Sequence, residues 1–137
     1  MIQPPTIYLA GPINGKTDAE CKAWREQFKA LKQFRFLDPM DRDYRGKEMG
    51  NAEAIVYGDL KDIQQSDIIV ANTTSPSWGT AMELVYAFGM GVPILAIHPE
   101  PLHASPWLVF HATQIFPTTQ QVMDHLKEHI NEFKRSE

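Results

Sequence analysis

The sequence predicts an α/β fold: one parallel sheet of about five strands, with helices packed against it. Short apolar runs of strand length alternate with amphipathic stretches, which is the βαβ pattern. Residues 92–97 are almost continuously apolar, as in a strand buried on both faces. The chain has 137 residues, 43% hydrophobic and 22% charged, which fits a single domain over 1–137 with its own core.

Residues 6–10 (Thr-Ile-Tyr-Leu-Ala) read as the first strand, stopped by Gly11-Pro12. Thr17 caps a helix to about Gln33, in which Cys21, Trp24, Phe28 and Leu31 share a face. Residues 34–37 form a second strand, ended by Asp38-Pro39. The polar, Gly-bearing stretch 40–50 is long for a plain connection, and loops of that size in a compact domain are usually functional. A helix follows over about 52–65, then a strand over 67–71 and a loop over 72–78. The next helix opens near Gly79 and ends between Gly89 and Gly91, ahead of the strand 92–97. A Pro-rich loop at 98–106 precedes a short helical piece at 107–112 and an edge strand at 114–116. Thr118 or Thr119 then caps a last amphipathic helix to about Lys134. The result is a flavodoxin-like or Rossmann-like sheet, and fold alone does not give function.

Net charge is −4, from 13 basic and 17 acidic side chains. That argues against duplex nucleic acid as a partner, which requires a basic face. A small anion remains compatible, because backbone N–H groups at helix starts hold phosphate without added Lys or Arg. The lone Cys21 forms no intramolecular disulfide, and no Cys/His spacing reads as a metal site. No signal-like start and no apolar run near the roughly 18 residues of a membrane span are present. The expectation is a cytoplasmic, reduced protein without a membrane span.

In open parallel sheets, ligands bind beyond the carboxyl ends of the strands. Three segments converge there: Gly11-Pro12-Ile13-Asn14-Gly15, the loop 40–50, and residues 72–79. The first allows close backbone approach to an anion, but matches neither a Walker A nor a G-x-G-x-x-G pattern. A plain turn explains it equally well. Glu83 lies in the first turns of its helix, where the positive end keeps a carboxylate ionised as a nucleophile or base. On position alone it reads first as a solvated glutamate, although Met82, Leu84 and Tyr86 flank it with apolar bulk. Asp59 sits mid-helix and reads by itself as a surface residue, with Asp62 as the exposed partner of a lysine. Tyr8 inside a strand reads as core with a satisfied hydroxyl. Trp24 and Trp107 read as packing residues, and His125 and His129 as solvated, with no acidic partner nearby.

Taken in order, three stretches resemble a family: Ile7-Tyr8-Leu9-Ala10-Gly11-Pro12-Ile13, then Gly58-Asp59-Leu60 through Ser66 to Asn72, then Ser77-Trp78-Gly79-Thr80-Ala81-Met82-Glu83-Leu84 with Tyr86-Ala87. The set resembles the nucleoside 2-deoxyribosyltransferases and the related deoxynucleoside 5′-monophosphate N-hydrolases, over most of the chain and least after Pro117. The resemblance implies that Glu83 attacks C1′ of a deoxyribose and forms a covalent glycosyl-enzyme. It implies that Asp59 assists by protonation or by fixing the sugar and nucleophile, and that Tyr8 orients the glutamate. A carboxylate nucleophile divides a difficult C–N cleavage into two steps, as in retaining glycosidases. No metal or organic cofactor is implied.

The two branches differ in the sugar acceptor, a second base or water. Transferases carry an aspartate for the 5′-hydroxyl where this chain has Ser77, and a serine hydroxyl can donate to a phosphate. Ser77 therefore resembles the hydrolase arrangement, as does Ser105, which matches a serine donated by a neighbouring subunit of a homodimer or higher oligomer. Gly11 to Gly15, with Gly79, would complete the phosphate cradle, although Pro12 stands where some hydrolases have a serine. The loop Asp38-Pro39-Met40-Asp41-Arg42-Asp43-Tyr44-Arg45-Gly46 resembles instead the base-side loop of the transferases. It makes Asp43 a candidate reader of the base, and Arg42 or Arg45 alternative phosphate ligands. Hydrolysis of a deoxynucleoside monophosphate is the primary expectation, base exchange on deoxynucleosides the second, and a non-catalytic nucleotide binder the third.

Overall fold

The computed structural model describes residues 3–133. Five strands form one parallel sheet: β1 (Thr6–Ala10), β2 (Arg35–Leu37), β3 (Ile68–Asn72), β4 (Ile94–Ile97) and β5 (Gln114–Phe116). Their spatial order is β2-β1-β3-β4-β5. Between and after them come α1 (Asp18–Lys29), α2 (Ala52–Gln64), α3 (Trp78–Gly89), α4 (Pro106–His111) and α5 (Thr119–Glu128). Short 3₁₀ turns lie at Pro39–Asp41, Pro101–His103 and Ile130–Phe133.

Period-2 alternation divides each central strand between two cores. Ile7 and Leu9 of β1 join Ile68, Val70, Leu95 and Ile97 under α1 and α5, where Trp24, Phe28, Val122 and Leu126 fill the layer. Tyr8 and Ala10 point the other way, with Ile69, Ala71 and Ile94, against Ile63 of α2 and Leu84 and Ala87 of α3. Each fully buried Ile, Leu or Phe contributes roughly 1.5–3 kcal/mol. This alternation decides the site, because it sends the Tyr8 hydroxyl towards α2 and α3.

The helix ends follow local chemistry. Thr17 caps α1, with Glu20 returning a bond to the Thr17 N–H, a reciprocal capping box. Ser77 caps α3 and Thr118 caps α5. At the end of α3, Gly91 takes φ +75°, Gly91 N–H bonds Phe88 O at 3.0 Å, and Val92 N–H bonds Ala87 O at 3.0 Å. This left-handed glycine stop holds Val92 outside the strand, so β4 begins at Ile94 rather than at 92. The first helix is also shorter than expected. It ends at Lys29 because the chain turns through Leu31 N–H to Phe28 O, 2.9 Å, to deliver buried Phe34 to the core. The last helix ends at Glu128, and the expected limit at Lys134 lies outside the described residues.

Among the described residues, no helix is long and apolar enough to cross a membrane, and no group of His, Cys, Asp or Glu is arranged to hold a metal ion.

Candidate active site

The carboxyl ends of β1, β2 and β3 open into a cavity of about 330 Å³. Its walls are the loop after β1 (Gly11, Pro12, Ile13, Asn14), the loop after β2 (with Arg42, Asp43, Tyr44 and Arg45), α2 through Asp59, and the start of α3 through Ser77, Gly79 and Glu83. The three segments singled out in the sequence do converge.

At the floor, the fully buried Tyr8 donates its hydroxyl hydrogen to Glu83 Oε2. Burial first, then the charges of Glu83 and Asp59, push the Tyr8 phenol well above its ordinary range, so it remains a donor. Burial likewise pushes Glu83 up to about 8, against the hydrogen bond from Tyr8 and the charges of Arg25 and Arg42. Burial thus opposes the ionisation that the helix end was expected to favour. Glu83 is the sixth residue of α3, and the helix-dipole effect fades beyond the first turn.

Asp59 is not a free surface residue. Its side chain is 24% exposed and accepts from Arg42 Nη2 at 3.1 Å, while Arg42 Nη1 reaches Asp62 at 2.7 Å. Burial raises the Asp59 pKa, although the bond from Arg42 opposes the rise. Asp62 therefore pairs with an arginine from the loop after β2, not with a lysine.

Sequence reasoning missed Arg25, which is fully buried. Its Nη1 donates to Cys21 O at 2.6 Å and its Nη2 to Gly11 O at 3.1 Å, while Nε faces Asp38 Oδ1 at 3.5 Å. Asp38 in turn accepts from Met40 N–H at 2.8 Å and pairs with Lys29 at 2.5 Å. One guanidinium thus ties the roots of two cavity loops together. Its signal was present: Arg25 lies four residues after Cys21, on the apolar stripe of α1.

The profile of the family described as nucleoside 2-deoxyribosyltransferase matches residues 7–106, from β1 through the start of α4. The chain is a member of the nucleoside 2-deoxyribosyltransferase family. It is 32% identical over 116 residues to YtoQ, an uncharacterised protein of Bacillus subtilis strain 168, covering 71% of this chain and 76% of that protein. It is 28% identical over 99 residues to the 5-hydroxymethyl-dUMP N-hydrolase of Rattus norvegicus, covering 69% of this chain and 61% of that one. In structure it is similar to the 2-deoxyribosyltransferase of Bacillus psychrosaccharolyticus, with TM-score 0.69 at 19% identity over 85% of this chain and 89% of that one. Membership supports chemistry at the N-glycosidic bond of small nucleosides or nucleotides.

Against this family's pattern, Tyr8, Asp59 and Glu83 meet at the cavity floor, and Gly11, Pro12, Ile13, Asn14, Asp43, Arg45, Ser77 and Gly79 line its walls. Gly15 does not line it; it is exposed at φ +75° and turns the chain towards α1. Arg45 donates to both carboxylate oxygens of Asp43 and also pairs with Asp18 of α1, and Arg45 holds the Asp43 pKa down at about 2. Both candidate phosphate arginines are therefore engaged by carboxylates. Ser105 lies outside this cavity. It borders an adjacent depression of about 730 Å³, between α3 and α4, that also includes Ser77 and Trp107.

Trp107 is 74% exposed, not a packing residue, and its ring stacks on His111 with centroids 5.9 Å apart. His129 does have an acidic partner, Glu132, at 3.0 Å, because the 3₁₀ turn after α5 brings that residue round.

Proposed function

We propose that this chain hydrolyses the N-glycosidic bond of a 2′-deoxynucleoside 5′-monophosphate, releasing free base and deoxyribose 5-phosphate. The observation that carries the reading is the buried contact between Tyr8 and Glu83, beside Asp59, at the end of an open cavity. A glutamate held by a phenol has a fixed trajectory, which is what nucleophilic attack requires.

In the first step the ionised form of Glu83 bonds through a carboxylate oxygen to C1′ as the C1′–N bond breaks, and the departing base takes a proton from the protonated form of Asp59. Burial of Asp59 favours its holding that proton. In the second step water attacks C1′, its proton returns to Asp59, and Glu83 leaves as a carboxylate. Atoms and charge balance without a cofactor.

Ser77 favours the monophosphate. Its Oγ accepts from Thr80 N–H at 3.3 Å, which leaves the O–H to donate into the cavity. Backbone N–H groups at the start of α3 add the positive helix end. The likeness to a dUMP-derivative hydrolase points the same way. The alternative, base exchange on deoxynucleosides, draws on the loop 38–46, where Asp43 held ionised by Arg45 can accept from a base amino group.

Ser105 would serve the site from a second copy of the chain, in a homodimer or larger assembly with closed symmetry. In support, Trp78, Met82, Val85 and Phe88 form an exposed apolar stripe on α3, continued by Trp107 and Phe110 on α4. Patches of this kind mark association surfaces. A strictly monomeric mass in solution removes the role given to Ser105.

The deciding experiment is incubation with deoxynucleosides and their 5′-monophosphates without acceptor, scored for free base, with Glu83→Ala as control. Base from monophosphates alone, lost in the variant, is expected. Release that requires a second nucleobase makes the chain a transferase, and binding without turnover under either condition makes it a nucleotide binder.

A further inference from the structure

Gly58 stands in the interior of α2, where glycine costs about 1 kcal/mol relative to alanine. A Cβ at this position would lie 2.7 Å from Arg42 Nε, 3.3 Å from its Cζ and 3.4 Å from its Cδ. The stem of Arg42 therefore runs through the notch left by the missing side chain. That path brings its two terminal nitrogens to Asp59, on the cavity wall, and to Asp62 one turn further along α2, 17 and 20 positions along the chain.

We propose that Arg42, seated on Gly58, is a positioning residue for the glycosidic reaction: it holds the Asp59 carboxylate in place beside Tyr8 and Glu83 and supplies the positive charge that balances these acids. The proposal rests on the reading of Glu83 and Asp59 as the reacting pair. The charged and titratable groups facing this cluster are Tyr8 from β1, Arg25 from α1, Arg42, Asp59 and Asp62 of α2, and Glu83 of α3. Three carboxylates thus face two guanidiniums.

Asp62, 14% exposed, binds the second arm of Arg42. A guanidinium gripped from both sides is fixed in orientation, and it is not released to swing towards a substrate phosphate. Its bond and charge lower the pKa of Asp59, and its charge lowers that of Glu83. Removing Arg42 therefore moves both ionisations to higher pH and loosens Asp59.

The test compares wild type, Arg42→Gln and Gly58→Ala by ¹³C NMR titration of the carboxyl groups, thermal melting, and kcat/KM against pH. In both variants Asp59 is expected to titrate at higher pH than in wild type, and the acid limb of kcat/KM to move the same way. A fall in kcat on the order of tenfold or more is expected, from misplacement of a reacting group. Stability separates the two: both lose the ion pairs of Arg42, whereas only Gly58→Ala gains helix propensity and is expected to melt above Arg42→Gln. A shared shift in pH profile at different melting temperatures is not the signature of general unfolding. Arg42→Lys restores charge without spanning two carboxylates, so it recovers the pH limb and only part of kcat.

Unchanged Asp59 titration in active Arg42→Gln protein overturns the proposal. Gly58→Ala that matches wild type in titration and kcat overturns the part given to the notch. A wild type without glycosidase activity, in which the NMR shift persists, overturns the functional reading instead.

Discussion

Tyr8 donates its buried hydroxyl to Glu83, 75 positions away, joining the middle of β1 to the second turn of α3. The pairing exists because strand alternation aims Tyr8 at the helix face from which Glu83 projects. Tyr8→Phe removes only the hydroxyl. It is expected to lower kcat on the order of a hundredfold, since the nucleophile loses its anchor. Because the Tyr8 bond lowers the Glu83 pKa, the acid limb of kcat/KM, expected near 8 in the wild type, should move upward in the variant. A pH–rate profile with an unchanged limb would remove Tyr8 from the ionisation of Glu83.

The same glutamate makes stability depend on pH. Its folded-state pKa of about 8 lies above the ordinary 4.5, so the folded chain holds this proton more tightly than the unfolded chain. The resulting stabilisation is complete below about 4.5 and is lost as pH rises through about 8. Glu83→Gln lacks this titration. Its melting temperature is expected to gain on the wild type between those limits and to exceed it at pH 9. Parallel melting curves would mean that Glu83 is already ionised in the free protein.

Ser77→Asp tests phosphate placement without harming the helix, because aspartate caps as well as serine. A carboxylate there repels a 5′-phosphate, so the preference for monophosphate over nucleoside in kcat/KM is expected to fall on the order of a hundredfold. The loss should appear mainly in KM. An unchanged preference would locate the phosphate elsewhere.

Gly11 matters through packing rather than through φ. A Cβ there would lie 2.6 Å from Trp24 Cζ2, a buried ring held between the sheet and α1. Gly11→Ala is expected to destabilise the fold by about 1–3 kcal/mol, as overpacking does. Urea denaturation measures it directly, and a wild-type midpoint would show that Trp24 can yield.

Much was legible one segment at a time. Short apolar runs in residues 6–10 and 67–71 mark strands, Thr17 and Thr118 or Thr119 mark helix starts, and the length of the loop after β2 marks it as a candidate working segment. Glu83, Asp59 and Tyr8 stand out because their types and order match a family pattern. These signals are local: a cap, a period or a motif is read within a few neighbours.

What required the folded chain is long-range. Neither the sheet order nor the passage of Arg42 over Gly58 follows from spacing, because the partners are brought together by packing. The place of Arg25 on the apolar stripe of α1 was legible, but only tertiary structure supplies the carbonyls of Cys21 and Gly11 and the carboxylate of Asp38 that together receive a buried guanidinium. The ionisation of Glu83 went the other way from its helix position for the same reason. A residue's place in a helix is encoded nearby, whereas the water it loses depends on everything folded around it.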